Sequence, residues 1–296
     1  MKVISRRHLV KGALFGAAGS FLTLHRMDLA RAGLALPAVK KLVGDRVVLG
    51  RTGIKLSRLA MGSGTHGTRK TSMQARLGVY GFGDLLERAY DQGVNFFETA
   101  DQYGTHEHMR EGMRRVGKNN VVLLTKTRAR TADETRKDLE RFCRELGREH
   151  LDVVLLHCMT SANWVKEMEG PMEVLSRAKE KGIIRAHGVS CHTLEALKLA
   201  ARTPWVEVDQ ARINPIQAHM DADPTTVLGV LREMKAAGKG IIGMKILGQG
   251  ALSDQVDRAV AYAAKLDVLD AFTIGFGSYG QFSEVATKLP VLSVAA

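Results

Sequence analysis

The sequence lacks the features that mark several common classes of protein. Only 5% of its residues are aromatic, and its three cysteines form no C-x-x-C pair and no His/Cys metal-ligand spacing. Three scattered cysteines cannot supply the ligands of an iron–sulfur cluster, so we expect no metal centre. The formal charge of +12 is not concentrated in one basic block and comes with no recognition motif, so we expect no nucleic-acid partner.

The N-terminal segment lacks a stable membrane span, because its apolar run Gly12–Leu24 is shorter than the ~20 apolar residues that cross a bilayer. The pair Arg6-Arg7 lies in a basic region before this run, and the small-residue site Ala30-Arg31-Ala32 follows it. Basic region, apolar run and small-residue site occur in the order of an export signal. Residues 1–32 carry six basic residues and one acid, a net +5, which leaves about +7 on the remaining chain.

This segment resembles a twin-arginine signal. The resemblance implies that residues 1–32 are cleaved and that the machinery for folded proteins exports the chain to the periplasm. An uncleaved signal would leave the protein anchored to the membrane, and a chance basic helix is the remaining interpretation. Export in the folded state is typical of proteins that take up a cofactor in the cytoplasm.

The rest of the chain, residues 33–296, reads as one domain in which strand and helix patterns alternate eight times. A short hairpin precedes them, with Arg46–Leu49 and Ile54–Ser57 flanking a glycine-containing turn. This order predicts an α/β fold, a closed (β/α)8 TIM barrel with a short N-terminal β-hairpin. We also expect Thr105 to cap a helix, the helical region 162–181 to break at Gly170-Pro171, and the last helix to end at Pro290.

Four polar side chains lie where buried strands of the barrel give way to loops. Glu98 and Tyr103 follow one strand, Lys126 closes VVLLTK and His157 closes LDVVLLH. A carboxylate, a phenol, an ammonium and an imidazole at one end of a barrel are the parts needed to move a proton to or from a carbonyl oxygen.

In this order and spacing, the chain resembles the aldo-keto reductases. The segments that carry the resemblance are LGRTGIKLSRLAMGSGTHG, FFETADQYG, VVLLTKT, LDVVLLH, GIIRAHGVS, VDQARINPI and IIGMKILGQG. The resemblance implies a nicotinamide cofactor across the carboxyl end of the barrel, with Tyr103 as the general acid. It implies that Lys126 eases proton loss from Tyr103, that Glu98 holds Lys126, and that His157 orients the carbonyl.

The resemblance also implies the residues that bind the cofactor: Ser190, Cys191, Gln210, Gly275, Ser278, Gln281 and Glu284. Glu98 stands where the family has Asp, and Cys191 stands where it commonly has Asn. The stretch 274–284 contains no Lys or Arg to pair with a 2′-phosphate. Family precedent therefore favours NADP (NADPH) over NAD, without a charge in this stretch to support it.

The sequence leaves three functions open. The favoured one is an NAD(P)-dependent oxidoreductase that reduces an aldehyde, ketone or sugar, or oxidises the alcohol. The alternatives are redox-neutral sugar chemistry on bound NAD(P), and a non-catalytic barrel that binds a nucleotide or a partner. Cys158 and Cys191 follow His157 and Ser190 directly, so a disulfide or a shared metal after export is conceivable. Small, semi-buried thiols that point in different directions are the favoured interpretation.

Overall fold

The computed structural model describes residues 39–295, so the predicted export signal at 1–32 lies outside the described residues. Within the described range, none of the helices has the length and apolar character needed to cross a membrane. The cysteines at 143, 158 and 191 are all free thiols.

Eight parallel strands close into a barrel, and a separate antiparallel hairpin precedes them, as the sequence predicts. The hairpin consists of β1 and β2, and the barrel runs from β3 to β10. Strand β10 closes the barrel by pairing with β3, with Phe272 opposite Leu59 and Gly275 opposite Gly62. The strands are β1 Arg46–Val48, β2 Lys55–Ser57, β3 Leu59–Gly62, β4 Phe96–Glu98, β5 Val122–Thr127, β6 Leu151–Met159, β7 Ile184–Cys191, β8 Val208–Arg212, β9 Gly240–Met244 and β10 Ala271–Gly275.

Helices follow each barrel strand and cover the outside of the barrel. They are α1 Gly78–Asp91, α2 His106–Val116, α3 Ala132–Leu146, α4 Trp164–Glu167, α5 Glu169–Glu180, α6 Leu194–Arg202, α7 Pro224–Ala236, α8 Val256–Lys265 and α9 Tyr279–Leu292. The best-defined start is that of α3, where Thr131 and Glu134 form a reciprocal capping box.

The core has two layers because successive strand residues point to opposite faces of the sheet. Residues such as Phe96, Leu124 and Leu155 fill the barrel interior, whereas their neighbours in sequence pack under the helices. The hairpin side chains Leu49 and Ile54 belong to the interior cluster, so they close the amino end of the barrel. Polar side chains lie at the carboxyl end of the barrel.

Three local expectations are wrong. Thr105 precedes α2 but makes no side-chain cap; its hydroxyl lies 2.7 Å from Ser63 Oγ and 2.8 Å from Thr99 Oγ1. The helical region 162–181 breaks at Met168, and Gly170-Pro171 lies in the first turn of α5, where a missing N–H costs nothing. Helix α9 continues through Pro290 to Leu292.

Asp209 on β8 is a carboxyl group buried without a partner. It is fully buried, and neither of its carboxyl oxygens has a hydrogen-bond partner among the described residues. Burial, together with the negative charge of Asp221, raises the pKa of Asp209 to about 8. The folded chain therefore holds a proton here at pH values where the unfolded chain, with a carboxyl pKa near ~4, has released it.

We predict that Asp209→Asn flattens the dependence of stability on pH. Between pH ~4 and about 8 the folded protein binds one more proton than the unfolded protein, so the free energy of unfolding falls as pH rises, by up to ~1.4 kcal/mol per pH unit. In Asp209→Asn the free energy of unfolding does not fall with pH in this way, so the variant should be more stable than the wild type near pH ~9. Urea unfolding across this range measures the effect, with the exposed Asp254→Asn as control. An unchanged slope in Asp209→Asn would contradict the assignment.

Candidate active site

The barrel interior ends, at its carboxyl end, in a layer of polar side chains. Glu98, Lys126 and Gln210 lie two residues beyond the inward-facing Phe96, Leu124 and Val208, so strand alternation turns them inward as well. His157 and Thr273 occupy the same level on β6 and β10. Gly62 completes the layer on β3 and contributes no side chain, which leaves room for its neighbours.

Lys126 and Glu98 form a buried ion pair at the centre of this layer. Lys126 is fully buried and Glu98 is 4% exposed. The Lys126 ammonium donates to Glu98 Oε1 and, at 2.9 Å, to the carbonyl oxygen of Thr99. Thr273 Oγ1 donates to the second carboxylate oxygen at 3.2 Å. The pair is thus hydrogen-bonded on both sides, which is the condition for keeping two charges out of water.

The longer Glu98 side chain, in the place where the family has Asp, fits because of Gly62. A Cβ at Gly62 would lie 3.1 Å from Glu98 Oε2 and 2.7 Å from Thr273 Oγ1. The missing side chain therefore makes the space that the extra methylene of Glu98 requires.

Tyr103 lies above the ion pair, with Lys126 Nζ 3.4 Å from its hydroxyl oxygen. Burial, followed by repulsion from Glu98, raises the Tyr103 pKa well above 10. Tyr103 is therefore a protonated phenol at neutral pH, the form that can donate to a carbonyl oxygen.

His157 faces Tyr103 edge-on, with ring centroids 5.6 Å apart and an interplanar angle of 87°. Burial, and after it the charge of Lys126, holds the His157 pKa well below 6.5, so the ring is neutral. No described residue accepts from or donates to its buried Nδ1. A neutral imidazole and a protonated phenol are both groups that can hydrogen-bond to a carbonyl oxygen.

Two glycines that sequence reasoning missed determine where the Tyr103 ring lies. A Cβ at Gly64 or at Gly67 would overlap the Tyr103 ring, so the loop after β3 can pack on the ring only with glycine at both places. Residues 62–67, GSGTHG, have the G-x-G-x-x-G spacing of dinucleotide turns. Helix α1 begins only at Gly78, and these glycines accommodate Tyr103 and Glu98 instead.

A cleft of about 230 Å³ opens beside Tyr103 and Glu98. Of the residues predicted to bind the cofactor, it brings together Gln210, Gly275, Gln281 and Glu284. Gln210 Oε1 is buried and has no hydrogen-bond partner among the described residues. A nicotinamide carboxamide carries the N–H donor that this oxygen lacks, so the cleft fits the group in this respect.

Three of the predicted cofactor residues do not line this cleft. Ser190 Oγ is buried and accepts from the backbone N–H of Cys158 at 3.0 Å. Ser278 is exposed and caps α9. Cys191 is fully buried in the apolar layer under the helices, where burial and the charge of Asp209 raise its pKa well above 9. Adjacent strand residues face opposite ways, so Ser190 and Cys191 cannot both point into the barrel.

The loop after β9 contributes residues that sequence reasoning did not assign to the site. Lys245, Leu247, Gln249 and Gly250 line the cleft. Lys245 Nζ donates to Gln249 Oε1 at 2.8 Å. The Gln249 amide nitrogen lies 2.9 Å from His66 Nδ1, so one hydrogen bond joins the loops after β3 and β9. The sequence signal for these residues was a basic side chain, Lys245, in the glycine-containing stretch KILGQG.

The sequence also left open a disulfide or a shared metal at Cys158 and Cys191. The thiol of Cys158, whose φ is 66°, lies 3.1 Å from His192 Nδ1. Cys191, in contrast, lies in the apolar layer. The two thiols thus occupy different environments.

Comparison with known proteins agrees with this geometry. The chain is 22% identical to L-galactose dehydrogenase of Arabidopsis thaliana over 219 residues, which are 70% of this chain and 66% of that protein, just under two thirds of its length. Its fold matches that of PA4992 from Pseudomonas aeruginosa, assigned as an aldo-keto reductase, with a TM-score of 0.67 and 22% identity over 86% of this chain and 96% of that one.

A further similar fold is that of aldo-keto reductase AKR11C1 from Bacillus halodurans in its holo form. The TM-score is 0.66 and the identity 14%, with 84% of this chain and 90% of that chain covered. The model of the Aldo/keto reductase family matches residues 58–290, far more than half of the chain. The barrel, its polar layer and this match together show that the protein belongs to the aldo/keto reductase family.

Proposed function

We propose that the protein is an NAD(P)-dependent oxidoreductase that reduces a carbonyl group, or oxidises the corresponding alcohol, with Tyr103 as the general acid or base. The observation that carries the proposal is the contact of the Tyr103 hydroxyl with the buried Lys126–Glu98 pair, opposite a neutral His157. Family membership implies NAD(P)-dependent carbonyl oxidoreduction in general. The similarity to L-galactose dehydrogenase supports a sugar among the candidate substrates.

In this proposal the substrate oxygen lies between Tyr103 and His157. Tyr103 donates its proton to that oxygen, and Lys126 stabilises the phenolate that remains. His157, neutral because it is buried, supplies a hydrogen bond that orients the carbonyl without adding charge. A bound nicotinamide would supply or accept the hydride at the carbonyl carbon. Gln210 would hold its carboxamide through the unpaired Oε1.

We predict that Tyr103→Phe lowers kcat by about 10²- to 10⁴-fold, because the proton donor is lost while the ring remains. Nucleotide binding should stay close to that of the wild type, since the aromatic ring that packs on Gly64 and Gly67 is retained. Steady-state reduction of a panel of aldehydes and sugars, with calorimetric titration of NADP and NAD, measures both quantities. Tyr80→Phe, an exposed position, is the matched control. Equal turnover in wild type and Tyr103→Phe would rule out the proposed role.

For the cofactor we propose NADP in preference to NAD. The stretch 274–284 carries no Lys or Arg, but the fold brings a cation to it from another element. The Arg88 guanidinium on α1 lies 3.6 Å from the centroid of the Tyr279 ring, at the first residue of α9. The N-terminus of α9, the positive end of its helix dipole, lies next to Gln281, which lines the cleft. Both features favour a phosphate group at this position.

We predict that Arg88→Gln lowers the ratio of kcat/KM for NADPH to kcat/KM for NADH by about ten-fold, mainly by raising the KM for NADPH. Removing one guanidinium weakens the binding of a phosphate more than that of a neutral hydroxyl. The measurement is kcat/KM for each cofactor with one common substrate, and Arg76→Gln provides a control at another basic position near α1. If the ratio is the same in Arg88→Gln and wild type, this residue does not read the 2′-phosphate.

We also propose that the protein works in the periplasm after export with its cofactor bound. The support is the basic region with Arg6-Arg7, the apolar run Gly12–Leu24 and the small-residue site at 30–32. Free nicotinamide nucleotides are not expected outside the cytoplasm, so such a protein must carry its own.

We predict that the double variant Arg6→Lys, Arg7→Lys stays in the cytoplasm, because twin-arginine export requires the pair. Fractionation of cells that express the full chain, with mass analysis of the released nucleotide, tests location and cofactor together. Substitution of the nearby Lys11 by Arg keeps the charge and serves as the control. Periplasmic protein in equal amount from the double variant would contradict this route of export.

A further inference from the structure

We propose that the substrate carries an anionic group, a carboxylate or a phosphate, in addition to its carbonyl, and that Arg128 binds this group. The inference rests on the proposed function, because it names the substrate class of the same site. Arg128 is then the residue that determines specificity, and Tyr103 remains the group that exchanges the proton.

Strand register places Arg128 beside the reacting groups. In the pairing of β5 with β6, Lys126 lies opposite Leu155 and Thr127 opposite Leu156. The next residues along the two strands, Arg128 and His157, are therefore neighbours at the carboxyl end of the barrel. Arg128 directly follows Thr127, the last residue of β5, and its side chain is exposed.

A short relay of hydrogen bonds fixes the Arg128 guanidinium close to Tyr103. Its Nη1 donates to Gln102 Oε1 at 2.9 Å, and Gln102 Nε2 donates to the carbonyl oxygen of Gly67 at 2.9 Å. Gln102 immediately precedes Tyr103, and Gly67 packs on the Tyr103 ring. This arrangement uses one of the five N–H donors of the Arg128 guanidinium. The other edge of the planar group can therefore bind a carboxylate or phosphate through two hydrogen bonds.

The mouth of the barrel has more positive than negative charge. Lys126 pairs with Glu98 and Arg212 pairs with Asp221, so those cations are compensated. Within residues 39–295, Arg128 and Lys245 hydrogen-bond only to the neutral amides of Gln102 and Gln249, and neither forms a salt bridge. An uncompensated cation next to a binding site attracts anionic ligands.

Lys245 and Arg128 serve different parts of the site. Lys245 lines the cleft that fits the cofactor, together with Gly275 and Gln281. Arg128 follows β5, which lies in the barrel order between β4, the strand before Tyr103, and β6, the strand of His157. Burial is the main cause of the lowered pKa of His157, followed by the charges of Lys126, His192 and Arg128. Burial also lowers the pKa of His192, to about 3, and Arg128 is among the smaller causes there. The field of Arg128 therefore reaches the position where the carbonyl oxygen would bind.

The test compares matched probes that differ only in charge. For carboxylates, 4-oxobutanoate is compared with butanal; for phosphates, glyceraldehyde 3-phosphate is compared with glyceraldehyde. The mature protein with its preferred nucleotide is assayed as wild type, Arg128→Gln and Arg130→Gln. Arg130 is an exposed arginine of the same loop whose side chain lies against Met168 Sδ, so its variant makes the same charge change away from the mouth.

We expect wild-type protein to favour at least one anionic probe over its neutral partner by about ten-fold in kcat/KM, and Arg128→Gln to lose that preference, mainly through KM. Which pair shows the preference identifies carboxylate or phosphate. The preference should weaken in high salt, because Arg128 is exposed. Arg130→Gln should keep both activities. Turnover of the neutral probes without any preference for charge, or equal losses in both arginine variants, would overturn the inference and leave the proposed function intact.

A binding measurement makes the inference independent of turnover. Calorimetric titration with succinate, which cannot be reduced at a carbonyl, should give about ten-fold weaker binding to Arg128→Gln than to wild type or Arg130→Gln. If no probe is turned over and neither NADP nor NAD binds, the proposed function is overturned. Succinate that binds all three proteins equally would overturn the anion site.

Discussion

The site depends on one interaction, the ion pair of Lys126 and Glu98 inside a closed barrel. Two charges at this depth are stable only when each neutralises the other and all their hydrogen-bonding groups are satisfied. Thr99 and Thr273 supply those bonds, and Gly62 supplies the space. The pair keeps an ammonium in contact with the phenol, while burial and, after it, the charge of Glu98 raise the Tyr103 pKa and keep the phenol protonated.

Around this pair the barrel divides its carboxyl end into two regions. The strands β8, β9 and β10 and the start of α9 form an open cleft, in which Gln210 Oε1 has no hydrogen-bond partner among residues 39–295. The ends of β5, β6 and β7 carry Arg128, His157 and His192 on the other side of Tyr103. Tyr103 belongs to both regions, as a proton donor must when one ligand supplies the hydride and another receives it. The hairpin closes the opposite end and takes no part in the chemistry.

Much of this could be predicted from the sequence, because the signals were local or periodic. Alternating buried strands and amphipathic helices predict the barrel, and polar residues at strand ends predict the polar layer. Contacts between distant segments could not be predicted: Thr105 bonds to Ser63 rather than capping its helix, and Arg88 approaches α9 from α1. The inward direction of Ser190 and the outward direction of Cys191 follow from strand alternation.

The hydrogen bond between His66 and Gln249 affects how long a ligand stays bound rather than how tightly it binds. The loops that it joins follow β3 and β9, and β10 lies between these strands in the barrel order. A long ligand lying across the end of β10 would be enclosed by a ring made of two loops and one hydrogen bond. Its escape would then require the loops to separate, so its residence time would follow the opening rate of the ring. If the protein is exported as proposed above, a slow exit of this kind would keep each molecule loaded with its cofactor for longer.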